Sequence, residues 1–487
     1  MNDYAMAQDV FSGLFEPQVT EALSSYVARN AFRLNAGTYS AGSMSMHNFI
    51  NANDRPTIEL SKIAKIFGFG PFKRTYIDDP EFGIPLLSSS EIMEIDPDPP
   101  ILAKVDCPKW NQYEVKRGWI MVSCSGTIGN VAIIPKKCDR WAVSQHALRV
   151  VANTGYTGFI YTLLNLPLMK AKIVSKKSGS VIDEIYEDDL KRLVVPLPGE
   201  ACIQELEDII NQVLHLREES DELLAQANSM LHKVNGLPEF QKDKVDQYDP
   251  EGTIKSIIVS SSEVLHNNHS RSEYRLDAHY YNLLAQLAIK NIKQCKSEVK
   301  TIEEVTERVF MCNRFKRNYV SEKYGVPFLS GKNIIQIRPT DLKYISLSET
   351  SDLDDLKLEA SWTLITRSGT IGRTCFVWKN YENYAATEHI VRLVPNEGMI
   401  DPGYLYNFLS SPYGKRQVLK YRHGSVIDEV TDSQIRKVLI PLPSRTDQKM
   451  IGDLVRTAYE KRAEAIRLED EAQKILMDAL TQINQPK

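Results

Sequence analysis

Two stretches of the chain carry apolar residues at three- and four-residue intervals over far more than an ordinary helix length. In the first, Ile203, Leu206, Ile209, Ile210, Val213, Leu216, Leu223, Leu224, Ala227, Leu231 and Val234 form the stripe of an amphipathic helix. In the second, Ile451, Leu454, Val455, Ala458, Leu468, Ala472, Leu476 and Ala479 repeat most of that stripe. The spacing predicts helices over 199–235 and 444–483. Each is entered through Pro-Leu-Pro (196–198 and 441–443), which stiffens the junction because the missing N–H of proline costs nothing at a helix start. At ~1.5 Å per residue such a helix spans about 52 Å, more than a small β-rich domain needs to cover its own core. Matching stripes along the whole length predict an antiparallel coiled-coil spacer, with Leu206, Ile210, Val213, Leu224 and Leu231 facing Ile451, Val455, Ala458, Leu468 and Leu476. The alternative is that each helix covers its own domain.

Ahead of each helix the pattern changes to short β-rich runs, such as Trp119–Ser123, Val131–Ile134 and Ala147–Val151, punctuated by Gly, Pro and Asn. These runs occur twice. Phe72-Lys73-Arg74-Thr75-Tyr76 returns as Phe315-Lys316-Arg317-Asn318-Tyr319, Trp119–Ile134 as Trp362–Val377, and Ser144–Val150 as Thr387–Leu393, all at an offset of 243. Gly179-Ser180-Val181-Ile182-Asp183-Glu184 is repeated at 424–429, an offset of 245. At the front, Arg33-Leu34-Asn35-Ala36 aligns with Arg275-Leu276-Asp277-Ala278. The prediction is an α+β protein built as a tandem duplication of a mixed α/β domain followed by a long helix. Its parts are a domain over 18–198, a helix over 199–235, a linker over 236–259, a second domain over 260–443 and a second helix over 444–483.

Composition narrows the class. With 487 residues, 43% of them hydrophobic and 25% charged, the chain is neither disordered nor fibrous. Seven cysteines without a CxxC pair suggest neither a zinc ribbon nor a disulfide framework, and fit a reducing cytoplasm. The first thirty residues lack a basic stretch leading into an apolar run, and no window approaches ~18 consecutive apolar residues, which disfavours secretion and membrane insertion. The net charge of −4 hides a division: the helical stretches 200–234 and 447–478 sum to −8 and everything else to +4.

In the globular parts the cations cluster at equivalent places. Lys73 and Arg74 stand beside Tyr76, and Arg314, Lys316 and Arg317 beside Tyr319, a grouping suited to phosphate contact with base or sugar packing. A second cluster comprises Lys170, Lys172, Lys176, Lys177, Ser178 and Ser180 in copy one, and Lys415, Arg416, Lys420, Arg422, His423 and Ser425 in copy two. There a basic helical segment runs into a Gly-Ser turn whose N–H groups and hydroxyl can approach a phosphate closely. No catalytic constellation accompanies them. Asp98-Pro99-Pro100-Ile101 lacks the aromatic residue of the amino-methyltransferase signature, Gly68-Phe69-Gly70 lacks the third glycine of a dinucleotide fingerprint, and no GxxxxGK[ST] loop exists. His146 and His389 are read as hydrogen-bonded structural histidines, and the twin Ser-Gly-Thr-Ile-Gly segments (125–129 and 368–372) as turns joining strands, with glycine at positive φ. No catalytic residue, cofactor site or metal site is therefore assigned.

Taken together, the ordered set of motifs resembles the specificity (S) subunit of type I restriction-modification systems over essentially the whole chain. Each copy opens with an Arg-Leu-x-Ala-x-x-Tyr-like segment (Arg33–Tyr39 and Arg275–Tyr281), then carries the Ser-Gly-Thr-Ile-Gly turn, the Gly-Ser turn and the Pro-Leu-Pro exit. Copy one departs at Asn35 and Gly37, where the family more often has Asp and a larger residue. The resemblance implies a non-catalytic, cytoplasmic subunit whose two target-recognition domains bind double-stranded DNA. It also implies that the helices dock two methyltransferase (M) subunits, which use S-adenosylmethionine to methylate adenine, and that motor-nuclease (R) subunits can join with ATP and magnesium. Two diverged reading domains on one spacer predict an asymmetric bipartite target, its halves about one DNA turn (~34 Å) apart on one face. A methylation-only phage-defence subunit is the alternative in the same class. A coiled-coil protein scaffold without DNA contact and a free-standing nuclease or methyltransferase are alternatives in others.

Overall fold

The computed structural model describes residues 44–45, 56–77, 79–107, 109–178, 183–240, 275 and 277–481. The opening of the first predicted domain with its Arg33–Tyr39 segment, the turn residues Gly179 and Ser180, the linker beyond residue 240 and residues 482–483 lie outside the described residues.

The chain divides into two compact units, one running to Glu218 and resuming at Glu464, the other running from Glu219 to Ala463. In unit one, β1 (Thr57–Glu59), β2 (Ala64–Phe67), β3 (Tyr76–Ile77), β4 (Gly83–Leu87), β5 (Ile101–Ala103), β6 (Ile120–Ser123), β7 (Val131–Ile133), β8 (Ala142–Val143) and β9 (Ala147–Ala152) are followed by α1 (Thr157–Asn165), α2 (Pro167–Val174) and α3 (Glu187–Lys191). Then come β10 (Val194–Pro196) and the long α4 (Glu200–Asn235). The strands form an antiparallel sheet β2-β9-β6-β7, a second sheet β3-β5-β4-β8 whose β4/β8 pair is parallel, and the ribbon β1-β10. Strand β6 is buried throughout because both its faces are covered. Ile120 and Val122 face the core shared with the helices, and Met121 faces a second core against β4 and β8.

Unit two repeats the plan. It contains α5 (Leu283–Lys293), β11 (Glu298–Thr301), α6 (Ile302–Val305), β12 (Thr306–Phe310), β13 (Tyr319–Val320), β14 (Gly325–Leu329), β15 (Lys343–Ser346), α7 (Leu353–Leu356), β16 (Thr363–Thr366), β17 (Thr374–Phe376), β18 (Ala385–Ala386) and β19 (Ile390–Pro395). After these come α8 (Pro402–Ser410), α9 (Pro412–Lys420), α10 (Asp432–Arg436), β20 (Leu439–Leu442) and the long α11 (Arg445–Thr481). Its sheets β12-β19-β16-β17, β13-β15-β14-β18 and β11-β20 have the strand order of unit one. The duplication inferred from motifs is thus a duplication of topology.

The two long helices pack together antiparallel, because the first half of α4 shares unit one with the second half of α11, and the remaining halves share unit two. They also floor both heads. Leu206, Ile210, Val213, Leu468 and Leu476 belong to the same core as β6, β9 and α1, and Leu231, Ile451 and Val455 to the corresponding core of unit two, with Leu224 packed at its edge. Ala458 is likewise fully buried. These stripe residues are consumed inside the chain's own cores, which corrects the expectation that they also offer a surface to partner subunits. The two packing alternatives are both realised in one arrangement.

Glycine permits the close crossings. A Cβ at Gly158 of α1 would lie 2.2 Å from the Leu206 carbonyl oxygen, and one at Gly403 of α8 would lie 2.7 Å from Cα of Gly452. The polar contacts at the floor differ between units. In unit one the buried Tyr161 hydroxyl donates to Glu469 (2.6 Å), which also pairs with Arg217 (2.7 Å). In unit two the aromatic rings of Tyr406 and Tyr459 meet edge to face with centroids 5.3 Å apart, and Arg462 reaches Asp221 at 3.3 Å.

Glu469→Leu, the residue at the equivalent position 224, is expected to destabilise unit one by about 3–5 kcal/mol, because Arg217 is left as a buried unpaired charge. Adding Arg217→Met should recover most of that loss, both measured by denaturant unfolding. Gly158→Ala and Gly403→Ala should each cost about 1–3 kcal/mol through overpacking.

Candidate nucleic-acid interface

Near the middle of β9 and β19 sit two fully buried arginines. Arg149 donates from Nη1 to the Ser144 and Ala147 carbonyls (3.1 and 2.8 Å) and from Nη2 to that of Val143. Arg392 donates to the carbonyls of Thr387 (3.4 Å), Ile390 (3.1 Å), Ala386 (2.6 Å) and Leu356 (3.5 Å). Burial pulls Arg149 down to about 10 and Arg392 below its ordinary range, and Arg149 still stays charged at neutral pH. Each guanidinium is wrapped by the turn leading from β8 into β9, or from β18 into β19. The turns carry Gln145, His146 and His389 to half-buried positions, while Glu388 is buried.

From those turns the contacts run outward in two directions. On one side Arg74 Nη2 donates to Gln145 Oε1, and Arg317 Nη2 donates to Glu388 Oε1 (2.7 Å), Glu388 Oε2 (2.8 Å) and Thr387 Oγ1 (3.3 Å). On the other, Cys124 N donates to the His146 carbonyl (3.0 Å) and Arg367 N to that of His389 (3.1 Å), while Ser368 Oγ and His389 Nδ1 share a 2.8 Å hydrogen bond. Both histidines thus join the Ser-Gly-Thr-Ile-Gly loops to the heads. Those loops do connect β6 to β7 and β16 to β17, with Gly126, Gly129, Gly369 and Gly372 at φ of 73°, 82°, 72° and 80°.

Against each of these loops lies the second Gly-Ser loop. Ser125 bridges to Glu184 and Ser368 to Glu429. The necks of the second loops are closed by paired main-chain bonds, Ser178 with Glu184 (2.8 and 2.7 Å) and His423 with Glu429 (3.1 and 2.6 Å). Equivalent ion pairs, Lys177–Asp183 (2.8 Å) and Arg422–Asp428 (3.1 Å), brace them. At the tip in unit two, Val426 is 93% exposed and Ile427 61%. In unit two, four motifs scattered over more than a hundred residues are therefore linked by contacts, and in unit one the same links are seen as far as the neck of the Gly-Ser loop.

A family profile described as type I restriction modification DNA specificity domain matches residues 59–218 and again 295–469. The chain belongs to this family. Among solved structures it is similar to the S subunit of a type I restriction-modification system from M. genitalium, at 12% identity over 90% of this chain and 98% of that one, with a TM-score of 0.34. It is also similar to the HsdS subunit from Thermoanaerobacter tengcongensis, at 15% identity over 88% and 97% of the two chains, with a TM-score of 0.28. A third similar structure, solved in work on complex assembly and conformational transition of the type I R-M system, is 16% identical over 88% and 98%, with a TM-score of 0.27. No curated protein sequence matches.

Within this specificity-domain chain the residues expected to bind DNA separate into groups. Lys73, Tyr76, Arg314, Lys316, Arg317, Tyr319, His423 and Ser425 are exposed, and Arg74, Lys176, Lys177, Ser178, Lys415, Arg416 and Arg422 half-buried. Lys172 and Lys420 are corrections: both are buried, and Lys420 Nζ lies 4.2 Å from the Tyr280 ring centroid. They face inward on α2 and α9, where the stems fill the core. Burial, with Lys176 nearby, pushes the Lys172 ammonium down to about 8. Lys177 and Arg422 are largely spent on their loop carboxylates.

Sequence reasoning missed Gln145, Glu388, Arg149 and Arg392, although all four lie in the duplicated Ser144–Val150 and Thr387–Leu393 segments. It also missed what the Arg-Leu-x-Ala segment does in unit two. Arg275 donates to the carbonyls of Tyr421 (3.0 Å) and Arg422 (2.7 Å), pairs with Asp277 (2.6 Å) and is capped by Tyr281, whose hydroxyl donates to the Arg275 carbonyl (2.9 Å). The segment anchors the end of α9 just before the Gly-Ser loop.

Arg149→Lys and Arg392→Lys are expected to destabilise their units by about 3 kcal/mol each, since an ammonium cannot serve the same spread of buried carbonyls. Thermal unfolding of the full chain checks this. Lys172→Met should stabilise unit one at pH 7, because the native state there carries a charge that burial disfavours. The gain should fade as pH rises from about 8 towards the ordinary lysine range, where both states lose the proton.

Proposed function

We propose that the chain is the non-catalytic DNA-reading subunit of a type I restriction-modification complex. The observation that carries this is the linkage, in both heads, of the Lys-Arg segment, the Gln/Glu-His turn, the Ser-Gly-Thr-Ile-Gly loop and the neck of the Gly-Ser loop, with cations at their border. In this reading double-stranded DNA lies against that surface in each head, lysines and arginines hold the phosphates, and the residues that differ between heads read different half-sites. The target is then bipartite and asymmetric. Two methyltransferase subunits bring S-adenosylmethionine and methylate adenine where the heads place them, and motor-nuclease subunits add ATP- and magnesium-dependent cleavage. The chain itself binds and orients. No helix among the described residues is long and apolar enough to cross a membrane.

Binding to a duplex carrying the host's methylated motif tests the reading. Lys73→Ala, Lys316→Ala and Lys176→Ala should weaken binding for every sequence, each reducing the slope of log affinity against log salt by about 1 if it removes one phosphate contact. Unchanged affinity and slope in all three would remove this surface from contention. Replacing residues 18–198 with the matching segment of a related chain should change one half of the methylated motif and leave the other intact.

A further inference from the structure

Arg74 and Arg317 occupy equivalent positions, and each is tied through Nη2 to the residue that precedes the duplicated histidine. That residue is the amide Gln145 in one head and the carboxylate Glu388 in the other. Everything around the pair is shared: the buried arginine under the turn, the histidine beside it and the glycine loop beyond. The acceptor is where the two heads part company.

The physical setting separates these arginines from their lysine neighbours. Lys73 is mostly exposed, with Asp106 at 3.8 Å, as suits a mobile phosphate contact. Arg74 and Arg317 are held, each with Cζ over an aromatic ring, 5.2 Å from the Phe72 centroid and 5.7 Å from that of Phe328. All three hydrogen bonds of Arg317 to Thr387 and Glu388 use Nη2. Glu388 is buried, and although burial disfavours its charge, Arg317 and main-chain and threonine donors hold its carboxyl below the usual range. A carboxylate at this point weakens an arginine's grip on phosphate, because it supplies the negative charge the phosphate would otherwise provide. It does not weaken recognition of a neutral pair of acceptors, and a pre-oriented guanidinium fork matches O6 and N7 of guanine.

We propose that Arg74 and Arg317 each read a guanine edge in their half-site, and that Gln145 and Glu388 are the positioning residues that set how strictly each arginine does so. The proposal rests on the DNA-reading function above. The ionic, two-oxygen hold on Arg317 makes the second head the stricter at its position. The amide hold on Arg74, whose carrier Gln145 also contacts His146 through Nε2 (3.1 Å), makes the first head the more permissive.

Introducing variants at the native locus and sequencing methylated bases in the host genome tests this with the intact complex. Arg317→Ala should relax one guanine position in one half-site, with about a 5- to 150-fold loss of discrimination there, while the other half-site stays as in the wild type. Arg74→Ala should do the same in the opposite half. Glu388→Gln, which keeps a hydrogen-bond acceptor for Arg317, should loosen that single position partially, and Gln145→Glu should tighten the corresponding one. Lys316→Ala should lower methylation of all sites alike. If Arg317→Ala lowers methylation uniformly with an unaltered motif, or alters both half-sites, the proposal is overturned. If the wild-type chain supports no bipartite methylated motif, the DNA-reading function itself fails instead.

Discussion

Each head is organised around a charge that has been taken out of water. Arg149 and Arg392 direct their hydrogen bonds to main-chain carbonyls on the turn where the second sheet hands the chain to the first. Carbonyls of the turn meet the Nη groups of each buried guanidinium, while Nε of both has no hydrogen-bond partner, so the turn must adopt the shape that serves the Nη groups. That requirement does two things at once. It locks the two sheets at a fixed juncture, and it fixes the places of half-buried Gln145 and His146 in one head and of buried Glu388 and half-buried His389 in the other. The glycine loops and the Lys-Arg segment attach to those side chains and the adjoining main chain. The recognition surface is therefore an outgrowth of core electrostatics and not a set of independent loops.

Much of this was legible in the sequence, and what was legible had a periodicity or a repeat to carry it. The helices Glu200–Asn235 and Arg445–Thr481 fall within about a residue or two of the predicted starts because Pro-Leu-Pro and the apolar stripe mark them. The Ser-Gly-Thr-Ile-Gly hairpins were readable because positive φ needs glycine. What stayed hidden depended on direction. Lys172 and Lys420 look like their basic neighbours in a string of letters, and only helix phase shows that they point inward. Arg149 and Arg392 lie in strands so apolar that a lone arginine reads as a surface residue. The stripe residues announced a helix–helix seam truthfully, but nothing in their spacing says that the same side chains also floor the heads.

The two copies have diverged unevenly. Gly-Ser-Val-Ile-Asp-Glu is the longest run they share, and its bracing pair, Lys177–Asp183 or Arg422–Asp428, keeps the charge pattern while the cation changes type. At the helix floor, by contrast, Tyr161 and Tyr406 are kept while the groups around them are not: a buried carboxylate with an arginine in one unit, edge-to-face and tilted aromatics in the other. The Gly-Ser loop sequence is kept between copies, and the contacts at the helix floor are not.

The compact units are out of phase with the repeat by half a helix, and this bears on how the chain folds as it leaves the ribosome. The core beneath β6 and α1 includes Ala465, Leu468, Ala472, Leu476 and Leu480, which are synthesised after every residue of unit two. The domain that emerges first is therefore completed second, and the nascent chain must keep the exposed stripe of α4 from associating elsewhere until α11 arrives.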